Sequence, residues 1–201
     1  MFITFEGVEG SGKTTVLESI AQALEASGHM VLRTREPGDG PWGARIRDVL
    51  LHGGPADPWA EVFLFLADRA QHVCHIVGPG LERGMIVLCD RYTDSTVAYQ
   101  GHARGLPVDT LRMLNGLATY GLKPNLTLLF DVDPLRALGR VISRNRLDDE
   151  PMAFHEAVRQ GFLTEVALEP DRWVVLDASR QASEVAIDAL AEVEKRLKCR
   201  V

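Results

Sequence analysis

Apolar residues along this chain follow two alternating rhythms. Short, β-prone runs at Met1 to Glu6, Met30 to Thr34, Met85 to Cys89, Leu126 to Phe130 and Trp173 to Leu176 read as strands, the most continuous of them in the form taken by strands covered on both faces. Between them lie stretches with helical spacing. Val16, Leu17, Ile20 and Leu24 make one stripe that Ser27-Gly28 ends; Val62, Leu66, Ala70, Val73 and Val77 make a longer one, predicting a helix from Pro58 to about Leu81. Further helices are predicted over Ala44 to Leu51 (stopped by Gly53-Gly54-Pro55), around Ser95 to Gln100, and over Val108 to Tyr120, Pro134 to Ser143, Pro151 to Leu168 and Ala182 to Leu197. Strands alternating with helices, without an internal repeat or a linker, predict one α/β domain over residues 1–201: a five-stranded parallel sheet with helices on both faces. In such sheets ligands bind beyond the carboxyl ends of the strands. The Gly7 loop, the Gly- and Pro-rich loop from Arg35 to Gly43, and Asp90-Arg91 should therefore meet in one crevice.

Composition changes this picture little. The 201 residues are 46% hydrophobic and 25% charged, as expected of a globular domain. A net charge of −6 argues against a broad basic surface for nucleic acid, so an anionic ligand would have to be met by locally gathered arginines. Cys74, Cys89 and Cys199 form no C-x-x-C pair and read as reduced thiols. No run of about 18 apolar residues occurs, and the N-terminus lacks a signal-peptide pattern. The expectation is a cytoplasmic protein with no membrane segment.

The first strand and first helix enclose Gly7-Val8-Glu9-Gly10-Ser11-Gly12-Lys13-Thr14-Thr15, the G-x-x-x-x-G-K-[ST] pattern in its required strand–loop–helix setting. Gly7, Gly10 and Gly12 let the backbone wrap an anion with its N–H groups turned inward. Ser11 and Thr15 belong to the same cradle, Lys13 supplies a positive charge for the outer phosphates, and the Thr14 hydroxyl suits Mg²⁺. The helix behind presents its positive end. Asp90 closes a strand of the form hhhhD, which sets a carboxylate beside the loop as the second holder of Mg²⁺.

After Asp90 comes Arg91-Tyr92-Thr93-Asp94-Ser95-Thr96-Val97-Ala98-Tyr99-Gln100-Gly101. Asp-Arg-Tyr followed by Asp-Ser-Thr-x-Ala-Tyr-Gln-Gly resembles the signature of the thymidylate kinases, which phosphorylate dTMP with ATP. The opening Phe2 to Thr15, the Arg35-Glu36-Pro37-Gly38 loop, Leu64 to Arg69, and Phe154-His155 with Val158-Arg159 resemble the same family in the same order. The resemblance implies a P-loop NTPase-type sheet with a short lid, near residues 143–151, and ATP and dTMP as ligands. By resemblance Arg91 and Arg47 hold the dTMP phosphate, as the planar fork of a guanidinium suits. Phe65 and Arg69, four residues apart on one helix face, stack on thymine and bond its carbonyl oxygen, although a large apolar residue such as Phe65 is by pattern alone more often core. Ser95, Thr96, Tyr99 and Gln100 line the thymidine pocket, with Tyr99 a barrier to a 2′-hydroxyl. Glu9 faces the sugar 3′-hydroxyl and the phosphate-binding arginine, and Glu36 is a partner for Mg²⁺ or arginine.

Two stretches depart from the family pattern. The phosphate loop carries no arginine, and members of that kind deliver one from the lid. Arg140, Arg144 and Arg146 are the candidates, with Arg146 and Arg144 assigned to the transfer and Arg140 to stacking on adenine near Ala178. The common D-R-x-E reads Asn145-Arg146-Leu147-Asp148 here. Asp39 follows Gly38 where the family commonly has a second glycine; it adds negative charge near a phosphate site, and nothing in the sequence accounts for it. His72-Val73-Cys74-His75 holds three donors that fan around a helix and is not read as a metal site. A P-loop switch would need N-K-x-D and D-x-x-G, and neither occurs. A UMP- or dUMP-preferring kinase is the nearer rival. The family also implies a homodimer, through the helices after strands one and three.

Overall fold

The computed structural model describes residues 1–54 and 56–198; Pro55 and Cys199 lie outside the described residues. Five parallel strands, β1 (Phe2–Glu6), β2 (Val31–Arg35), β3 (Ile86–Asp90), β4 (Leu126–Asp131) and β5 (Trp173–Asp177), form one sheet in the order β2-β3-β1-β4-β5. β1 is central and every residue in it is buried. Its register, Phe5 opposite Asp90 on β3 and Glu6 opposite Leu129 on β4, brings the Gly7 loop level with Asp90-Arg91.

Alternation along β3 sorts the two faces. Ile86 and Leu88 pack into a core with Val16, Ile20 and Leu24 of α1 (Lys13–Ala26) and Val185, Ala189 and Val193 of α9 (Ala182–Lys198). Val87 and Cys89 face the other way, against Val73 and Val77. That side-chain period of two is what lets one strand serve both layers. α2 (Gly43–His52), α3 (Pro58–His72) and α4 (Gly78–Glu82) follow β2; α5 (Thr93–Thr96) and α6 (Val108–Ala118) follow β3; α7 (Pro134–Leu138) and α8 (Met152–Leu168) follow β4.

Three helices differ from the periodic reading. The helix expected from Pro58 to Leu81 is α3 and α4 joined by a π-type turn, Val73–Val77. Pro79 offers no N–H and crowds the preceding turn, and the Gly78 N–H reaches back five residues to Val73 O. A second π segment, Val97–Ala103, continues α5 through the Tyr99-Gln100 signature. The helix expected to reach Ser143 stops at Leu138, because Gly139 starts a run of tighter bonds, Arg140 N–H to Ala137 O at 2.9 Å and Val141 N–H to Leu138 O at 3.1 Å. The segment expected to form a lid is therefore preceded by tight turns rather than by helix. Cys74 and Cys89 are free thiols, and no helix among the described residues is long and apolar enough to cross a membrane.

Candidate active site

A cleft of about 890 Å³ runs across the carboxyl edge of the sheet, within the range of ligand sites. Its floor is the phosphate loop. Gly7, Gly10 and Gly12 have φ of 141°, 73° and 89°. A Cβ on Gly10 would stand 2.0 Å from Ala137 O at the end of α7, so glycine is required there for space as well as for backbone angle. Gly12 caps α1 without a side-chain bond, leaving first-turn N–H groups available to an anion. The buried Lys13 Nζ folds over its own loop, donating to Val8 O at 2.9 Å, Gly7 O at 3.2 Å and Ser11 Oγ at 3.3 Å. Burial, and after it the Arg91 charge, lowers its pKa. The Thr14 hydroxyl donates to Asp90 Oδ2 at 2.8 Å, and the buried Asp90 Oδ1 has no hydrogen-bond partner. A free carboxylate oxygen beside a hydroxyl fits Mg²⁺, which takes few protein oxygens and keeps several waters.

Arg91 dominates the side of the cleft that faces the loop. Its backbone sits at φ 69°, a left-handed conformation costing a non-glycine residue about 1–3 kcal/mol. Bonds on both sides hold it: Arg91 N–H to Phe5 O at 3.0 Å, and Tyr92 N–H to Glu6 Oε1 at 2.8 Å. The guanidinium donates to Gly7 O and Ser95 Oγ, both at 3.1 Å, and to Glu9, and lies 5.1 Å from the centre of the Tyr99 ring. Arg91 holds the Glu9 carboxyl at about 2, well below the usual carboxylate range. Arg47 donates to Pro37 O at 2.7 Å, and its pKa is lowered by burial and then by the charges of Arg35 and Arg91. Arginines that repel one another in a protein of net charge −6 mark a place for an anion.

The far wall comes from α3. Phe65 is half-buried with its side chain on the cleft, so it is not core. Arg69, 2% exposed, donates through Nε to Glu36 Oε2 at 2.7 Å, through Nη1 to Thr96 Oγ1 at 2.9 Å and Asn115 Oδ1 at 2.6 Å, and through Nη2 to Tyr92 O at 3.0 Å. Four of its five donors are thus committed within the protein. Ser95, Thr96, Tyr99 and Gln100 line the same space, and Gln100 Nε2 donates to Glu61 Oε1 at 2.9 Å. At the donor end Arg140 Nη1 bonds Ala178 O at 3.1 Å, bringing together the two residues expected near adenine.

The structure does not bring the lid arginines assigned to the transfer into the cleft. Arg146 donates to Leu50 O at 3.1 and 3.3 Å and to Glu61; Arg144 is exposed, 3.9 Å from Asp149. The cause is Glu61, a carboxylate 1% exposed that needs cations and takes Arg146 and Arg104. Arg136, which the sequence reading passed over, lines the cleft instead. Glu6 was also missed: wholly buried and pushed up to about 8 by its burial, it takes Tyr92 N–H and Ser95 Oγ at 2.6 Å. A charged residue ending an apolar strand was its signal. Glu61 stands four residues before Phe65, on the helix face already singled out; Asn115 carried no signal.

A parallel sheet with a phosphate loop on its central strand, a second cationic pocket facing that loop, and an aromatic slot beside it define a P-loop nucleotide phosphotransferase. The thymidylate kinase family model matches residues 5–188. Similar relatives include a thymidylate kinase of Desulfovibrio desulfuricans, 46% identical and spanning 100% of this chain and 98% of the relative. Another from Synechococcus is 48% identical, spanning 98% and 96%. The crystal structure of the Ehrlichia chaffeensis thymidylate kinase superposes with a TM-score of 0.81 at 32% identity, covering 96% of this chain and 98% of that one. This chain belongs to the thymidylate kinase family.

Proposed function

We propose that the chain transfers the γ-phosphoryl group of ATP to dTMP, giving dTDP and ADP, and that the cluster of Arg47, Arg91 and Glu9 opposite Lys13 carries out the positioning. ATP lies with its phosphates on residues 7–15 and its base between Arg140 and Ala178. The dTMP phosphate is held by Arg91 and Arg47, its base by Phe65 and Arg69, and its sugar by Glu9 and Tyr99. A phosphate oxygen is already a nucleophile, so the work is alignment and charge stabilisation rather than proton removal. Lys13 follows the transferring group, and Thr14 and Asp90 would hold Mg²⁺. Bound there, Mg²⁺ supplies charge neutralisation on the phosphates. Arg69, fixed by four bonds, offers its remaining donor to a pyrimidine carbonyl.

The observation that carries this reading is the gathering of Arg35, Arg47 and Arg91 on one cleft with Lys13, Arg91 being bonded to Glu9 of the loop. Measuring dTDP formation from ATP and dTMP tests it: Lys13→Ala should lose at least about a hundredfold in kcat, and equal rates would sink the assignment. We place the enzyme in the cytoplasm, as a homodimer. Exposed Phe63 on α3 and Met113 and Leu117 on α6 support an apolar face for a second copy, α6 being one of the helices after β3. A monomer mass by light scattering would remove that proposal.

A further inference from the structure

Behind the acceptor pocket a line of bonds crosses from the loop after β2 to α3. Thr34 Oγ1 stands 2.7 Å from Asp39 Oδ2 and 2.6 Å from His72 Nε2. His72 Nδ1 stands 2.7 Å from Glu36 Oε1, and Glu36 Oε2 takes Arg69 Nε at 2.7 Å. His72 is fully buried and Glu36 nearly so. The proton count along this line follows from the Thr34–Asp39 bond. A hydroxyl has a single proton, and Thr34 donates it to Asp39 Oδ2, which also accepts the Arg35 N–H at 3.2 Å. Thr34 therefore turns a lone pair to His72, and Nε2 must carry a hydrogen. Glu36 Oε1 also accepts, so Nδ1 must carry one too.

We infer that His72 is a buried imidazolium and a positioning residue for the nucleotide-base pocket, clamping Glu36 so that its second oxygen fixes Arg69. The charged groups around it are mostly acidic. Glu36 and Asp39 come from the loop and Asp68 and Arg69 from α3, with Cys89 and Tyr92 of β3 and its loop beyond Glu36. Three carboxyl groups thus face one guanidinium, an excess of negative groups that favours an imidazolium. Asp39, for which the sequence offered no reason, becomes the residue that keeps His72 charged. The inference deepens the proposed function by naming what holds its base-binding arginine, and rests on that reading only for the identity of the base.

Imidazole ¹⁵N–¹H correlation spectra of the full-length protein test it without any substrate, with His72→Gln identifying the resonances. In the wild type at neutral pH both His72 nitrogens should show the shift of protonated nitrogen; a bare nitrogen overturns the inference. Asp39→Ala returns the Thr34 proton to Nε2, so His72 should become the neutral Nδ1–H tautomer. Asp39→Asn keeps an acceptor for Thr34 and should keep the imidazolium. The dTMP KM should rise about five- to tenfold in Asp39→Ala, the loss of about one hydrogen bond, and return toward wild type in Asp39→Asn. kcat and the ATP KM should change by less than about twofold in both. A changed tautomer with an unchanged dTMP KM would overturn the positioning role. Absence of dTMP phosphorylation in the wild type would instead count against the proposed function and leave the spectral result standing.

Discussion

Replacing Arg69 by Met keeps most of the side-chain volume and deletes every donor. The loss follows from its partners. Glu36 loses its guanidinium in a site where both partners are at most 3% exposed, and breaking a buried pair by removing one member costs about 3–5 kcal/mol. Asn115 Oδ1 and Tyr92 O lose their bonds as well, at about 1–3 kcal/mol for each buried acceptor left unmade. These terms share one network and do not add fully; a total of about 4 kcal/mol is a fair expectation, against a whole-domain stability of about 5–15 kcal/mol. With a urea slope near ~3 kcal/mol/M for a domain of this size, the midpoint should fall by more than about 1 M. Arg69→Lys should fall between, since one ammonium cannot span Glu36 and Asn115 together. A midpoint shift under about 0.3 M for Arg69→Met would mean that the guanidinium is not engaged as described. The dTMP KM should rise in both variants, read at a temperature where each is folded.

Other tests use separate parts of the site. Gly10→Ala sets a Cβ against Ala137 O in a left-handed backbone, so the ATP KM should rise by at least about tenfold; wild-type kinetics would mean the loop relaxes freely. Asp68 is raised from 3.8 to about 6, first by burial and then by Glu36, so the folded state holds its proton more tightly than the unfolded one. Its contribution is complete below pH 3.8 and is lost as pH rises through about 6; relative to wild type, Asp68→Asn should gain stability in denaturation from pH 4 to pH 8, and parallel curves would refute this. Glu9, held at about 2 by Arg91, has the opposite sign: its contribution is present above pH 4.5 and fades as pH falls toward 2, a limb that Glu9→Gln should remove from acid-denaturation curves. For the lid, single-turnover rates of Arg136→Ala, Arg144→Ala and Arg146→Ala identify the arginine at the transferring group. If it is Arg146, Glu61→Gln should raise the rate by weakening the clasp that holds it away, and an unchanged rate would show that the clasp does not compete with transfer.

Much of this was legible because the chemistry was local in sequence. Gly7 to Thr15 is a loop whose function needs only its own backbone, and Asp90 follows a run of four buried strand residues, so both could be read without tertiary information. Phe65 and Arg69 shared a helix face, which told their direction but not their depth. The rest depends on partners distant in sequence. Arg146 was read as a lid cation from the family resemblance and the lack of an arginine in the phosphate loop; its position is decided by Glu61, 85 residues earlier, whose burial no local pattern reveals. The first π segment arises where Pro79 acts on a helix that looks regular by period, and the second, Val97–Ala103, has no local signal. His72 had no role in the sequence beyond a rejected metal reading; its partners Thr34 and Glu36 come from β2 and the loop after it.

The strand order also divides the substrates. Glu36 on the loop after β2, Arg47 on α2 and Arg91 on the loop after β3, all assigned to dTMP, follow strands on one side of β1. Arg140 and Ala178, assigned to the adenine, follow β4 and β5 on the other. The reaction runs across the central strand like a hand-over between two halves that share only one loop. Selection for a different acceptor base could therefore rework one flank of the sheet while the nucleoside triphosphate flank stays as it is. A change in β1 or its loop would be felt by both at once.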